Sequence, residues 1–172
     1  MVERIKQEIY PAVQTFSLPA YEEIPSVGLF LDQVCKYLNE YLSVLPGFTM
    51  TNSMISNYVK KGLIINPVKK QYSREQIAYL FFIAVVKSVL SLEELQLLIR
   101  LQQATYPLPR AYDYFRLELK NVLEYVFEMK EEPEPVGVDN TQEKAILRNA
   151  IIAVAHKIYL NQILALAAGK TE

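Results

Sequence analysis

The chain has 172 residues, half of them apolar, with five Gly, one Cys, no Trp and a formal net charge of −1. That length closes one core without requiring two, and the near-neutral balance excludes a global attraction to polyanions. The lone Cys35 excludes an internal disulfide and lacks the clustered partners of a structural zinc.

Few glycines among many Leu, Ile, Glu, Lys and Gln point to an all-α fold, because Gly is poorly tolerated inside helices. The opening MVERIKQEIYPAV carries charges where a signal peptide would place its apolar stretch, so a cytoplasmic address is expected. Pro11, Pro19 and Pro25 each remove a donor and restrict the preceding residue, so residues 1–25 read as an arm with at most one short helical piece. From Val27 to Val44, apolar Phe30, Leu31, Val34, Cys35, Leu38, Tyr41 and Leu42 recur at three- and four-residue steps, the first solid helix, ended by Pro46-Gly47.

Thr49 or Thr51 can cap the next helix, which runs to about Lys61 and stops where Gly62 takes a left-handed conformation at low steric cost. On that helix Met54, Ile55, Tyr58 and Val59 fall on one side and Ser53, Ser56, Asn57 and Lys60 on the other. Leu63 to Gln71 is too short and Pro-interrupted for a helix and should form a bend or small wing. Ser73 with Gln76, and Ser91 with Glu94, match the capping box, so helices begin near residues 74 and 92.

After Pro107 and Pro109, the spacing of Phe115, Leu119, Val122, Val126 and Met129 is that of a coiled-coil seam over about two heptads. The acidic, Pro-rich stretch 131–140 makes a linker, and Asn140 with Glu143 caps a final helix carrying Leu147, Ile151, Val154 and Ile158 on one stripe. Its apolar part, Asn149 to Ala168, approaches the length of a membrane span. His156 and Lys157 sit at its middle, however, and a central Lys alone costs ~2.5–3.5 kcal/mol on insertion. A buried or oligomer-forming helix is expected there, with no membrane.

Residues placed for catalysis are lacking. His156 stands in a run of Ile, Val and Ala without partners at helical spacing, and Cys35 lies on an apolar face. Adjacent acids such as Glu93 and Glu94 point about 100° apart on a helix and make no dyad. No phosphate-cradling glycine loop or G-x-S-x-G occurs. The chain therefore reads as a non-enzyme without cofactor or metal.

Local charge tells more than the net. From Tyr58 to Glu75, Lys60, Lys61, Lys69, Lys70 and Arg74 face Glu75 alone, a confined basic patch able to bind phosphate. Tyr58 and Tyr72 could stack on bases, but the apolar side of one and the pre-cap position of the other favour core packing.

The order N57-Y58, G62-L63-I64-I65-N66-P67, Y72-S73 and E94-L95-Q96-L97-L98 resembles the MerR-type winged helix-turn-helix. The wider pattern, L29-FLDQV-34 with N57-YVKKGLI-64, K70-QYSREQIAYL-80 and L90-S91, is similar to the bacterial domain of unknown function 1836 family, over roughly residues 18 to 125. The arginine-rich end of a MerR recognition helix is replaced here by Ser56-Asn57-Tyr58, and the wing arginine by Lys69-Lys70-Gln71. Lysines can serve as point charges where bidentate geometry is not needed.

The residue pattern and the resemblance together divide the chain into an arm at 1–25, a MerR-like helix-turn-helix domain at 26–105 and a C-terminal helical segment at 106–172, whose helices are expected to pack as a bundle or dimerise. The resemblance also implies a DNA-binding transcriptional regulator. Ser53, Ser56 and Asn57 would face base edges, and Lys60, Lys61, Lys69, Lys70 and Arg74 would contact phosphates of double-stranded DNA. A homodimer through the 115–129 seam and the last helix would space two half-sites. An effector of unknown identity would sit between helices 110–130 and 141–168, where Tyr106, Tyr112, Tyr114 and Tyr125 are candidate lining residues. The alternative is a helical protein-interaction module in which the helix-turn-helix is only a scaffold.

Overall fold

A computed structural model describes residues 2–169, with the side chains of Val2, Ile5 and Lys6 outside the description. The chain is mostly helical, as its composition dictates, with one two-stranded sheet. One hydrophobic cluster runs from Ile9 to Leu166 and draws on all of the longer helices.

The first 25 residues are not a loose arm. They form α1 (Val2–Glu8), α2 (Tyr10–Thr15) and a 3-10 turn at Tyr21–Glu23. Pro11 occupies the first turn of α2, where a missing N–H breaks no bond. Val13, Phe16, Leu18, Tyr21 and Ile24 are buried. Polar contacts lock the segment down: the Tyr21 amide donates to Asp113 Oδ1 at 3.0 Å, and Lys120 Nζ donates to the carbonyls of Val13, at 2.9 Å, and Gln14.

Helix α3 (Leu31–Leu42) begins four residues later than its apolar periodicity suggests. Leu29–Phe30 (β1) is drawn into an extended conformation by pairing antiparallel with Gln71–Tyr72 (β2), Leu29 opposite Tyr72 and Phe30 opposite Gln71. The connection 43–51 to α4 (Asn52–Lys60) is held from both sides. Asn39 accepts from the Met50 amide at 2.9 Å and donates to the Met50 carbonyl at 2.8 Å, while Lys87 Nζ donates to the Gly47 carbonyl at 3.2 Å.

Helices α5 (Arg74–Val86) and α6 (Leu92–Thr105) start where their capping boxes place them. Ser73 and Ser91 accept from the Gln76 and Glu94 amides, and Gln76 and Glu94 return the bond to the Ser amides. Helix α5 is buried nearly all round, and Phe81 at its centre meets Tyr37, Tyr41 and Tyr112 edge-on or tilted at ring distances near 6 Å.

Two expectations for the C-terminal half are corrected. The seam residues Phe115, Leu119 and Val122 of α7 (Leu108–Val126) are buried in the core of the same chain, where α7 packs along α8 (Gln142–Ala167), so these three positions are covered inside the monomer. Met129 lies beyond the end of α7, where Glu128 takes φ +58° and the Met129 amide turns back to the Glu124 carbonyl. The cap of α8 is Thr141 rather than Asn140, because the Thr141 hydroxyl accepts from the Lys144 amide at 3.3 Å. By length and composition α8 could cross a membrane, but its Ile151, Val154 and Ile158 face is in the core.

Segment 131–140 has no regular structure, yet it is tied down. Asn121 brackets Glu134, donating to its carbonyl at 2.6 Å and accepting from its amide at 2.8 Å, and Asp139 is held by Tyr106 and Arg110.

Candidate nucleic-acid interface

Thr51 starts α4 by accepting from the Met54 amide at 3.1 Å, which removes one of the four unpaired donors of the first turn. Ile55 and Tyr58 then point into the core. Ser53, Ser56, Asn57 and Lys60 follow the i, i+3, i+4, i+7 spacing of one helix face, and all four are exposed. The inward Tyr58 and the buried Tyr72 are packing residues and cannot stack on a base.

The end of α4 sets the direction of the next segment. The Leu63 amide donates to the Tyr58 carbonyl at 2.9 Å and Gly62 takes φ +78°, so the chain reverses and buries Leu63 and Ile64. It emerges as a hairpin. Val68 pairs with Gln71, whose amide donates to the Val68 carbonyl at 2.9 Å. The two residues between, Lys69 (φ +50°) and Lys70 (φ +63°), adopt the handedness of a primed hairpin turn. That turn matches strand twist but normally selects Asn-Gly, and a left-handed non-glycine residue costs roughly 1–2 kcal/mol. Two strained lysines at an exposed tip are an unusual choice for stability alone.

Gln76 fixes the hairpin to the body. Besides closing the cap of α5, it donates from Nε2 to the Ile65 carbonyl at 2.9 Å while itself 5% exposed. Its capping-box position was visible in the sequence, but its second bond was not. On the other side, β2 pairs with β1, so β2 is the middle of a short three-segment ribbon whose outer strand β1 leads into α3.

The cations separate into two groups. Arg74 belongs to the body: its Nε donates to the Ile24 carbonyl at 2.8 Å, its Nη1 pairs with Glu22 at 2.6 Å, and its guanidinium lies over the Tyr21 ring at 5.6 Å. It fastens the 21–24 segment and is not a free phosphate ligand. Among the described side chains, the Lys and Arg residues that make no hydrogen bond, ion pair or ring contact are Lys36, Lys60, Lys61, Lys69, Lys70 and Arg100. Four of these six are on α4 and the hairpin. Arg100, which the basic run did not reveal, is exposed one helical turn along α6 from Gln96, whose amide lies beside Gly62.

Among the described residues, no three His, Cys, Asp or Glu side chains come together. Cys35 is half-buried against Asn39 and the Met50 carbonyl, and burial raises its pKa, which keeps it a thiol. His156 is exposed on the outer side of α8.

The family model for a domain of unknown function, DUF1836, matches residues 19–115, over half of the chain. That span holds the 3-10 turn, both strands, α3 to α6 and the first part of α7. No curated protein and no solved structure matches.

Proposed function

Because the chain belongs to the DUF1836 family, whose name assigns no activity, we propose its function from its own surface: α4 and the Lys69-Lys70 hairpin bind double-stranded DNA. The observation that carries this reading is the set of four unpartnered lysines flanking one exposed Ser/Asn helix face, in a molecule whose other cations are mostly fastened to carbonyls and carboxylates. The MerR-like resemblance supports the same assignment of α4 to the major groove and the hairpin to the adjoining backbone. Asn57 can pair bidentately with adenine, and Ser53 and Ser56 accept several base edges, so sequence preference would be modest. Lys60, Lys61, Lys69 and Lys70 would contact phosphates, with Arg100 the additional candidate.

Transcriptional regulation and a dimer that pairs half-sites are part of this proposal. With Phe115, Leu119 and Val122 of the seam buried inside the chain, the exposed Leu160 and Leu164 of α8 offer an apolar surface for pairing, and light scattering at the concentrations used for binding reads it.

The test is a duplex titration followed by anisotropy at 50 and 200 mM salt. Four phosphate contacts imply a log–log slope near −3.6, an affinity loss of about 150-fold across that interval, and replacing the four lysines by Ala should abolish most of the salt dependence. A second reading rests on Ile65 and Val68, 77% and 75% exposed on the same hairpin, which suit a protein partner better than a phosphate backbone. Absence of duplex binding below about 100 µM at low salt favours that interaction module.

A further inference from the structure

Helices α5, α6, α7 and α8 and the strap 136–139 enclose a cavity of about 360 Å³, near the lower end of the range for small-molecule sites. Its location agrees in part with the space expected between the last two helices. Tyr106, Tyr112 and Tyr114 line it, whereas Tyr125 lies elsewhere, beside Glu128 and His156. We propose that this cavity binds a compact, uncharged aromatic molecule, a site independent of the DNA reading.

The walls decide the class. Apolar Phe82, Leu98, Leu108, Phe115 and Leu147 provide the bulk, and the rings of Phe82, Phe115 and four tyrosines stand on several sides, where edge and face contacts favour another ring. Most polar atoms between them are spent on one another, and the exceptions, the buried hydroxyls of Tyr112 and Tyr114, have no hydrogen-bond partner and suit a neutral polar group on the guest. Tyr79 Oη donates to Gln102 Oε1 at 2.8 Å, and Gln102 Nε2 donates to the Tyr106 carbonyl at 2.7 Å. Tyr106 Oη donates to Asp139 at 2.7 Å, a carboxylate that also takes Arg110 at 3.2 Å, while Lys144 Nζ donates to the Asp139 carbonyl at 2.8 Å. An ionised guest would have to lose water for little return: Arg110 and Lys144 are already held by Asp139, Asp113 is already paired with Arg116, and Glu143 repels anions while offering a cation a single carboxylate.

The strap supplies an entrance. It is clamped at Glu134 by Asn121 and at Asp139 by Tyr106, and between these clamps Gly137 turns with φ +71°. Val138, which lines the cavity, is 99% exposed, an isopropyl group held in water beside an apolar space. A guest at the mouth would bury it. None of the four hairpin and α4 lysines lines this cavity, so the two sites are separable by experiment.

The full chain should be titrated with N-phenyl-1-naphthylamine, a neutral probe that brightens in apolar surroundings and meets no tryptophan emission here. Saturable one-to-one binding is expected, with its anionic relative 8-anilino-1-naphthalenesulfonate and the cation 1-naphthylmethylammonium each at least about tenfold weaker. Ala111→Trp, placed in the wall, should abolish binding while retaining a cooperative melt. Val138→Ser, at a position with no packing to lose, should weaken binding several-fold and leave the melting temperature unchanged. If the Trp variant does not fold, the Ser variant decides. Non-saturable binding, equal or tighter binding of a charged probe, or full affinity in a folded Ala111→Trp or Val138→Ser chain overturns the proposal.

Discussion

Lysines of the α7–α8 half and lysines of the α4–hairpin region behave oppositely. In the body, Lys120 caps the end of α2, Lys130 pairs with Glu124 at 2.7 Å, Lys144 reaches Asp139, and Lys157 holds the Ser88 carbonyl at 3.0 Å. Lys87 follows the same rule from α5, donating to three carbonyls of neighbouring turns, and burial lowers its pKa. Lys60, Lys61, Lys69 and Lys70 fasten nothing. A net charge of −1 averages over these two populations and conceals the difference between cations spent on structure and cations left for a ligand.

The comparison breaks most visibly in the body. Arg148→Ala leaves the Glu118 carboxylate, 2% exposed and paired at 2.8 Å, without its cation. Arg148 is itself half-exposed, so removing it from the buried carboxylate should cost about 2–3 kcal/mol, seen in calorimetry as a melting temperature lower by roughly 4–12 °C. Next comes Lys87→Met, which keeps the stem but removes the donor and should cost about 1–2 kcal/mol by denaturant titration. Its pH signature has a definite sign. The folded pKa is lowered below the ordinary 10.5, so the unfolded chain holds more protons in that window, and stability should rise as pH climbs from the folded toward the unfolded value. The variant should lose that rise when compared with the parent chain across pH.

Smaller effects sharpen the contrast on the hairpin. Replacing Lys69-Lys70 by Asn-Gly should raise stability by about 1 kcal/mol, because the new residues accept positive φ, while duplex affinity falls with the two charges. Stability and binding moving in opposite directions would identify the strain as the companion of function. Lys60→Ala and Lys61→Ala should change stability by less than about 0.5 kcal/mol, the ordinary range for unpartnered surface positions. A loss comparable to that of Lys87→Met would place those lysines with the body.

What the sequence disclosed is what short-range chemistry decides. Ser73 with Gln76, Ser91 with Glu94, Thr51 and Gly62 reveal helix ends because every partner lies within a few residues. The exposed face of α4 followed from its periodicity. The strand at Leu29–Phe30 was hidden inside a helical pattern because its partner lies across the chain at Gln71–Tyr72. The same distance hid Arg74, whose carboxylate partner Glu22 is 52 residues earlier. The apolar spacing of Phe115, Leu119 and Val122 stated correctly that one side of α7 is covered. It could not state whether the cover was another copy or α8.

The ribbon at Leu29–Phe30 bears on how the molecule behaves in concentrated solution. Exposed strand margins with apolar side chains recruit strands from other chains, and Val27 and Phe30 are both well exposed. Here the margin is two residues long, preceded by Pro25 and absorbed at Leu31 into a helix that already uses its own amides. An incoming segment finds too few vacant amides to extend a ladder, which protects the protein from fibrous growth without any charge placed there for the purpose.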